Sequence, residues 1–233
     1  MWKIERYKPQ DLLEITQLFY DTVHTVNARD YSGEQLDAWA DGSVDLDAWN
    51  RSFLAHTTYV VRQDQMLVGF GDVDATGYVD RLYVHRHYQH QGVGTALCDA
   101  LEASVGAKAF VTHASVTALH FFQKRGYECL WEQQVLRKGI LLTNFVLRKP
   151  APGERSLGEE LGASLPFLRA FAQCSWPLVQ EPARRFLLER TGGEELLLAL
   201  RQAQDVMNSN QGGLDIPVAE FLEHMDQNAS VLK

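Results

Sequence analysis

The sequence predicts a mixed α/β sheet flanked by helices, followed by a small all-helical region. Two observations carry this. Up to residue 149, strand-like runs alternate with amphipathic helical patterns, the arrangement of a mixed sheet covered by helices. Beyond "KPAPGERSLG", where the composition shifts to Pro, Gly and Ser, no strand pattern recurs. The chain has 233 residues, 45% of them hydrophobic, with five Trp and eleven Phe. That suffices for one large domain, or a medium domain with an appendage.

"WKIERYK" reads as a first short strand with Ile4 and Arg6 alternating about Glu5. In "PQDLLEITQLFYDTVHTV", Leu12, Ile15, Leu18 and Phe19 fall at helical spacing, with Pro9 near the helix start. "SGEQLDAWA" reads as a second short helix, with Ser32 as N-cap and Gln35 at the capping-box position. Residues 57–86 resolve into three strands separated by the turn signals "RQDQ" and "DATG". After a glycine-bearing loop, Val93, Ala96, Leu97, Ala100, Leu101 and Val105 share one helical face. "AFVTHAS" is a strand, "VTALHFFQKRG" a helix closed by Gly126, and "YECLWEQQVLRKGILLTNFVLRK" a hairpin turning at Lys138-Gly139. The predicted order is β-α-α-β-β-β-α-β-α-β-β. Residues 150–159 are read as a linker, and 160–233 as a helical region containing "LPFLRAFAQ", "EPARRFLLER", "GEELLLALRQAQDVMNS" and "IPVAEFLEHM", with Pro217 at a helix start.

A formal charge of −8 argues against a nucleic-acid or anionic-membrane surface. Cys98, Cys129 and Cys174 have no metal-ligand spacing and suit a reducing compartment. The N-terminal residues lack a signal-peptide apolar stretch, and no apolar run approaches 18 residues. A soluble, cytoplasmic protein is expected.

The loop "YQHQGVGTAL" spans residues 88–97. The chain lacks the GxxxxGK[ST] string of a Walker loop, and Leu97 stands where a dinucleotide fingerprint needs its third glycine. What remains is Gln89-x-x-Gly92-x-Gly94 between a strand and a helix N-terminus. Backbone N–H groups converging there favour a pyrophosphate, which Gly92 and Gly94 leave room to approach. An ordinary strand–helix turn is the alternative.

Two spaced motifs in order, "RLYVHRHYQHQGVGTAL" and "SVTALHFFQKRGY", resemble the GNAT family of N-acetyltransferases, over residues 1–149. The resemblance implies the acyltransferase fold of that family, acetyl-CoA as acetyl donor, and direct attack of a small-molecule primary amine on the thioester in a ternary complex. It implies that the backbone of Leu82, Tyr83 and Val84 pairs with the pantetheine arm, a backbone N–H near Val84 polarising the thioester carbonyl. Gln89, His90, Gln91, Gly92, Val93, Gly94 and Thr95 would wrap the pyrophosphate. Ser115 stands where the family often has an Asn on the pantetheine arm. Phe122 stands where it often has a Tyr acid; a coenzyme A thiol, with a pKa near the ~8.5 of a Cys thiol, leaves tolerably without one.

The attacking amine must lose a proton, so a base must lie within reach. Asp80 and Tyr83 are the candidate catalytic residues; Asp80 has the strand parity of Leu82 and Val84, which places it at the end of the cleft, a structural ion pair being its alternative. His24, Tyr31 and Asn144 are candidate acceptor-pocket residues, with Trp39 and Trp49 suited to an aromatic wall. His85, His87 and His90 invite a metal reading, but no carboxylate or Cys adjoins them in sequence, so no metal is expected.

The tail from Leu196 onward also resembles, over a short length, the C-terminal segments of toxin–antitoxin antitoxins. Leu196, Leu197, Leu200, Ala203 and Met207 form a stripe suited either to internal packing or to a partner's groove. The rival to an enzyme is therefore an acetyl-CoA-binding module, weakly catalytic or inactive, whose tail captures a protein.

Overall fold

In a computed structural model, which describes residues 2–106, 109–209, 216 and 218–227, a seven-stranded sheet in the order β1-β2-β3-β4-β5-β7-β6 organises the first part of the chain. The strands are β1 (Ile4–Arg6), β2 (Thr57–Gln63), β3 (Met66–Val73), β4 (Tyr78–Val84), β5 (Phe110–Ser115), β6 (Glu128–Arg137) and β7 (Ile140–Lys149). Helices α1 (Leu12–Thr25), α2 (Gly33–Trp39) and α3 (Leu46–Ala55) precede β2. Helix α4 (Val93–Ser104) links β4 to β5, and α5 (Val116–Lys124) links β5 to β6. The predicted order holds except for α3, which the sequence reading omitted.

Each face of the sheet is built by pattern. Ile15, Leu18 and Phe19 of α1 join Phe53 of α3 and Phe70 of β3 in one buried cluster. On the opposite face Val93 and Leu97 of α4 pack on Val61 and Val68. Gly69 and Gly71 permit that close approach: a Cβ on Gly69 would lie 2.8 Å from Val93 Cγ1, and one on Gly71 3.1 Å from Leu101 Cδ1. The predicted caps form. Ser32 accepts from the Gln35 N–H while the Gln35 side chain accepts from Ser32 N–H, and Lys138 and Gly139 both take positive φ to turn the last hairpin.

Contacts divide the chain into two units, residues 1–127 with 134–152, and residues 128–133 with 153–233. The second contains α6 (Leu157–Leu161), α7 (Leu165–Gln173), α8 (Pro177–Glu189), α9 (Gly193–Ser209) and α10 (Val218–Gln227). Helix α6, capped by Ser156, begins inside the segment read as linker, and α8 starts at Pro177, earlier than its motif. Phe221 packs edge-on against Phe171. Leu196, Leu200 and Ala203 of the α9 stripe are fully buried. Those three stripe residues form core, while Leu197 and Met207 are half-buried. Pro217 and the glycine-bearing break of the tail lie outside the described residues.

Candidate active site

The site begins where two strands stop pairing. Strands β4 and β5 run parallel through only two partners, Tyr78↔Val111 and Val79↔Thr112. Beyond them, β4 stays bound to β3, with Tyr83 opposite Phe70 and Val84 opposite Gly69. The His85 N–H donates to the Val68 carbonyl at 2.9 Å. Alternation along an antiparallel ladder then turns the N–H groups of Leu82 and Val84 away from β3, toward the parted side. The opening is a cleft of about 820 Å³ lined by β4, β5, α5, the start of α4 and the end of α1.

At one end of the cleft sits the glycine loop. Gly92 adopts a left-handed φ of 83° as N-cap of α4, and His90 is also left-handed at 60°. Among the described residues no side chain caps this helix, and no acidic residue occupies its first turn. The Ala96 N–H reaches the Gly92 carbonyl at 3.0 Å, so the preceding N–H groups lack an intrahelical acceptor. Helix α5 differs, since Ser115 caps it by accepting from the Ala118 N–H at 3.2 Å. The Gln89 side chain donates to the Val84 carbonyl at 2.6 Å and so fixes the loop to the strand end. Gly94 lies against Phe121, 3.3 Å from where its Cβ would be. An anion is favoured at such a helix end.

The cleft brings together Asp80, Leu82, Tyr83, Val84, Gln89, His90, Gly92, Val93, Gly94, Thr95, Ser115 and Phe122 of the residues singled out from the sequence, with Trp39 of the aromatic pair. Gln91 is not in its lining; the Gln91 carbonyl accepts from Trp2 Nε1 at 2.9 Å and its side chain donates to the His87 carbonyl at 2.7 Å. His24, Tyr31 and Asn144 do not line it either. His24 Nε2 is 2.7 Å from the Ala40 carbonyl. The Tyr31 hydroxyl donates to Thr143 O at 2.7 Å and accepts from the Val116 N–H at 2.9 Å, which makes it a latch on β7 and α5. Asn144 stands opposite Ser115 in the sheet, with a buried Oδ1 that has no hydrogen-bond partner among the described residues.

Asp80 reaches the cleft by a route that strand parity does not describe. The β3–β4 register passes from Asp72↔Arg81 to Val73↔Val79, leaving Asp80 as an extra residue in a β-bulge. The parity argument therefore fails: Val79, not Asp80, packs with Leu101 of α4. The Asp80 carboxylate lies 3.0 Å from Arg81. Arg81 is held in turn by two bonds to fully buried Asp72 at 2.9 and 2.8 Å, by Ser52 Oγ at 2.6 Å and by the Phe53 ring, 4.3 Å from its guanidinium. His56 Nδ1 bonds Asp72 at 2.6 Å. Ligand atoms of His56, Asp72 and Asp80 lie within 4.8 Å of one another, but the Arg81 cation already occupies Asp72, so the group is an ion-pair network. Burial in the cleft holds the Asp80 carboxyl above the usual range; Arg81 pulls it down and Asp72 pushes it up. Burial raises the Tyr83 hydroxyl further from ionisation, against a hydrogen bond from Trp39.

Sequence reading missed His113, Tyr88, Arg86, Asn27 and Phe121, all in the lining. The signal for His113 was its place on β5 one residue past the last paired position, which needs the register to be known. Among the described residues no cysteine lines the cleft.

Parted parallel strands with an uncapped helix end at their opening define an α/β fold suited to an extended ligand ending in an anion. The sequence model of the Acetyltransferase (GNAT) domain matches residues 27–149. The chain belongs to the GNAT family of acetyltransferases. It is 30% identical over 146 residues to the uncharacterized N-acetyltransferase YafP of Escherichia coli (strain K12), covering 63% of this chain and 94% of that protein. A GCN5-related N-acetyltransferase from Rhodopseudomonas palustris superposes with a TM-score of 0.62 at 31% identity, covering 64% of this chain and 96% of that one. The fold is shared at 17% identity by YncA, a putative acetyltransferase from Salmonella typhimurium solved with acetyl-CoA (TM-score 0.51, 67% of this chain and 97% of that one).

Proposed function

We propose that this acetyltransferase moves the acetyl group of acetyl-CoA to a primary amine of a small molecule, by direct attack within a ternary complex. The observation that carries the reading is the continuity of one cleft from the uncapped start of α4 to the parted β4 backbone. The donors of Val93, Gly94 and Thr95 receive the pyrophosphate, Gly92 keeping its approach clear. The free N–H groups of Leu82 and Val84 pair with the pantetheine arm, and one near Val84 polarises the thioester carbonyl. Acetyl-CoA supplies an activated acyl carbon and a thiolate leaving group. Asp80, anchored by Arg81 at the far end, draws the cationic amine toward that carbon, and Trp39 supplies an apolar wall. Phe122 is buried and donates no proton, so the thiolate leaves without it.

The test begins with calorimetric binding of acetyl-CoA to the full chain and to Gly94→Glu and Thr95→Glu, with circular dichroism to confirm folding. Thr95→Glu adds a charge that favours a helix start while repelling a phosphate. Micromolar binding, near −8 kcal/mol, that is lost in both variants supports the site; equal binding by folded variants refutes it. A screen of primary amines for thiol release follows. Intersecting double-reciprocal plots support a ternary complex, and parallel ones refute it.

A further inference from the structure

The tip of the cleft holds a second ionisable group that the candidate set did not contain. Pairing of β4 with β5 ends at Val79↔Thr112, so the next residues, Asp80 and His113, are the first on either strand beyond the last pair. Both line the cleft. They differ in their bonding. Asp80 is tied to Arg81 at 3.0 Å; burial holds its carboxyl above the ordinary range, while that cation pulls it back down. The His113 side chain makes no hydrogen bond among the described residues; its ring meets the edge of Tyr78, with centroids 5.3 Å apart. His113 is exposed by surface area; the partial burial of its ring lowers the imidazole from its ordinary pKa, and Asp80 opposes that shift. Burial holds Tyr78 protonated, pushed up to about 12. The remaining charged groups in the lining are Arg29, Arg86 and His90, and across β5 the partner of His113 on β7 is apolar Val146.

We infer that His113 takes the proton from the acceptor amine, with Asp80 as the anionic partner that stabilises the resulting imidazolium. This deepens the acetyl-transfer reading and rests on it. The acceptor's ammonium gives one proton to an imidazole nitrogen. The freed lone pair forms the N–C bond to the acetyl carbon, the C–S bond breaks with its electrons on sulfur, and a second proton from nitrogen neutralises the thiolate. His113 then releases its proton to solvent. An imidazole's ordinary affinity for protons lies nearer neutral pH than a carboxylate's, roughly 6.5 against 3.9, which is the match a general base needs. The division of labour places a mobile proton on His113 and a fixed charge on Asp80.

Two measurements on the full chain decide this. An NMR titration of the His113 ring, assigned by its loss in His113→Gln, should show a midpoint that falls further in Asp80→Asn; an unchanged midpoint overturns the pairing. With the amine that turns over fastest in the screen, His113→Gln should lower kcat by about a hundredfold or more with acetyl-CoA affinity unchanged, and should abolish the acidic limb of the rate profile. Wild-type kcat in His113→Gln overturns the base assignment while leaving acetyl transfer standing. If wild type itself transfers to no amine, the acetyl-transfer reading falls and takes the inference with it.

Discussion

Single residues set both the packing and the charge of this molecule. Gly69 is there because α4 lies against it, and a side chain at that position meets Val93 and Leu97. Gly69→Val is expected to destabilise by about 1–3 kcal/mol, read as a fall in the urea midpoint at unchanged slope. His56 acts through charge. Its hydrogen bond to Asp72 raises its pKa, against the opposing effect of burial. A group whose folded pKa is raised stabilises fully below its unfolded value, near 6.5 for His, and loses that contribution as pH rises through the folded value. Wild type should therefore exceed His56→Gln in stability at pH 6, with the gap closing as pH rises above the raised value. Urea titrations of both proteins at pH 6 and pH 9 check this, and a gap that widens with pH contradicts it.

Elements were legible where one local rule determined them. Helix α2 could be read because Ser32 and Gln35 make a reciprocal cap, and Ser32→Ala should cost about 0.5–2 kcal/mol by the same urea measurement. Helix α3 carried a comparable sign, Asp45 accepting from the Ala48 N–H, but only Phe53 of its residues is buried, so its apolar stripe is thin. The glycine loop was legible because its glycines fall between a strand and a helix in a family motif. The tip of the cleft was not. A bulge at Asp80 shifts which β4 residues share a face, and no alternation rule carries parity across an inserted residue. His113 became visible only with the β4–β5 register, a pairing between residues more than thirty apart. Tyr31 and His24 read as pocket residues by chain position, yet their polar atoms bond to backbone carbonyls across the fold.

Across the whole molecule, the division into units does not follow chain order. Residues 128–133 group with 153–233, while residues on both sides of that segment belong to the other unit. Within the helical unit the Leu157 N–H donates to Glu128 at 2.8 Å, and the Arg184 guanidinium lies 5.5 Å from the Trp131 ring centre. Leu130 and Trp131 are 0% and 4% exposed. A chain ending at Pro152 removes those partners and should melt at a lower temperature than the full chain, with aggregation; an unchanged melting curve contradicts this. The interleaving also has a kinetic consequence during synthesis. The segment "ECLWEQ" leaves the ribosome before the helices it groups with exist, and β6 is the last strand in the sheet order. For as long as residues 153–227 take to be made, the nascent chain carries an apolar edge strand without its mates, open to chaperones or to a neighbouring chain on the same messenger RNA.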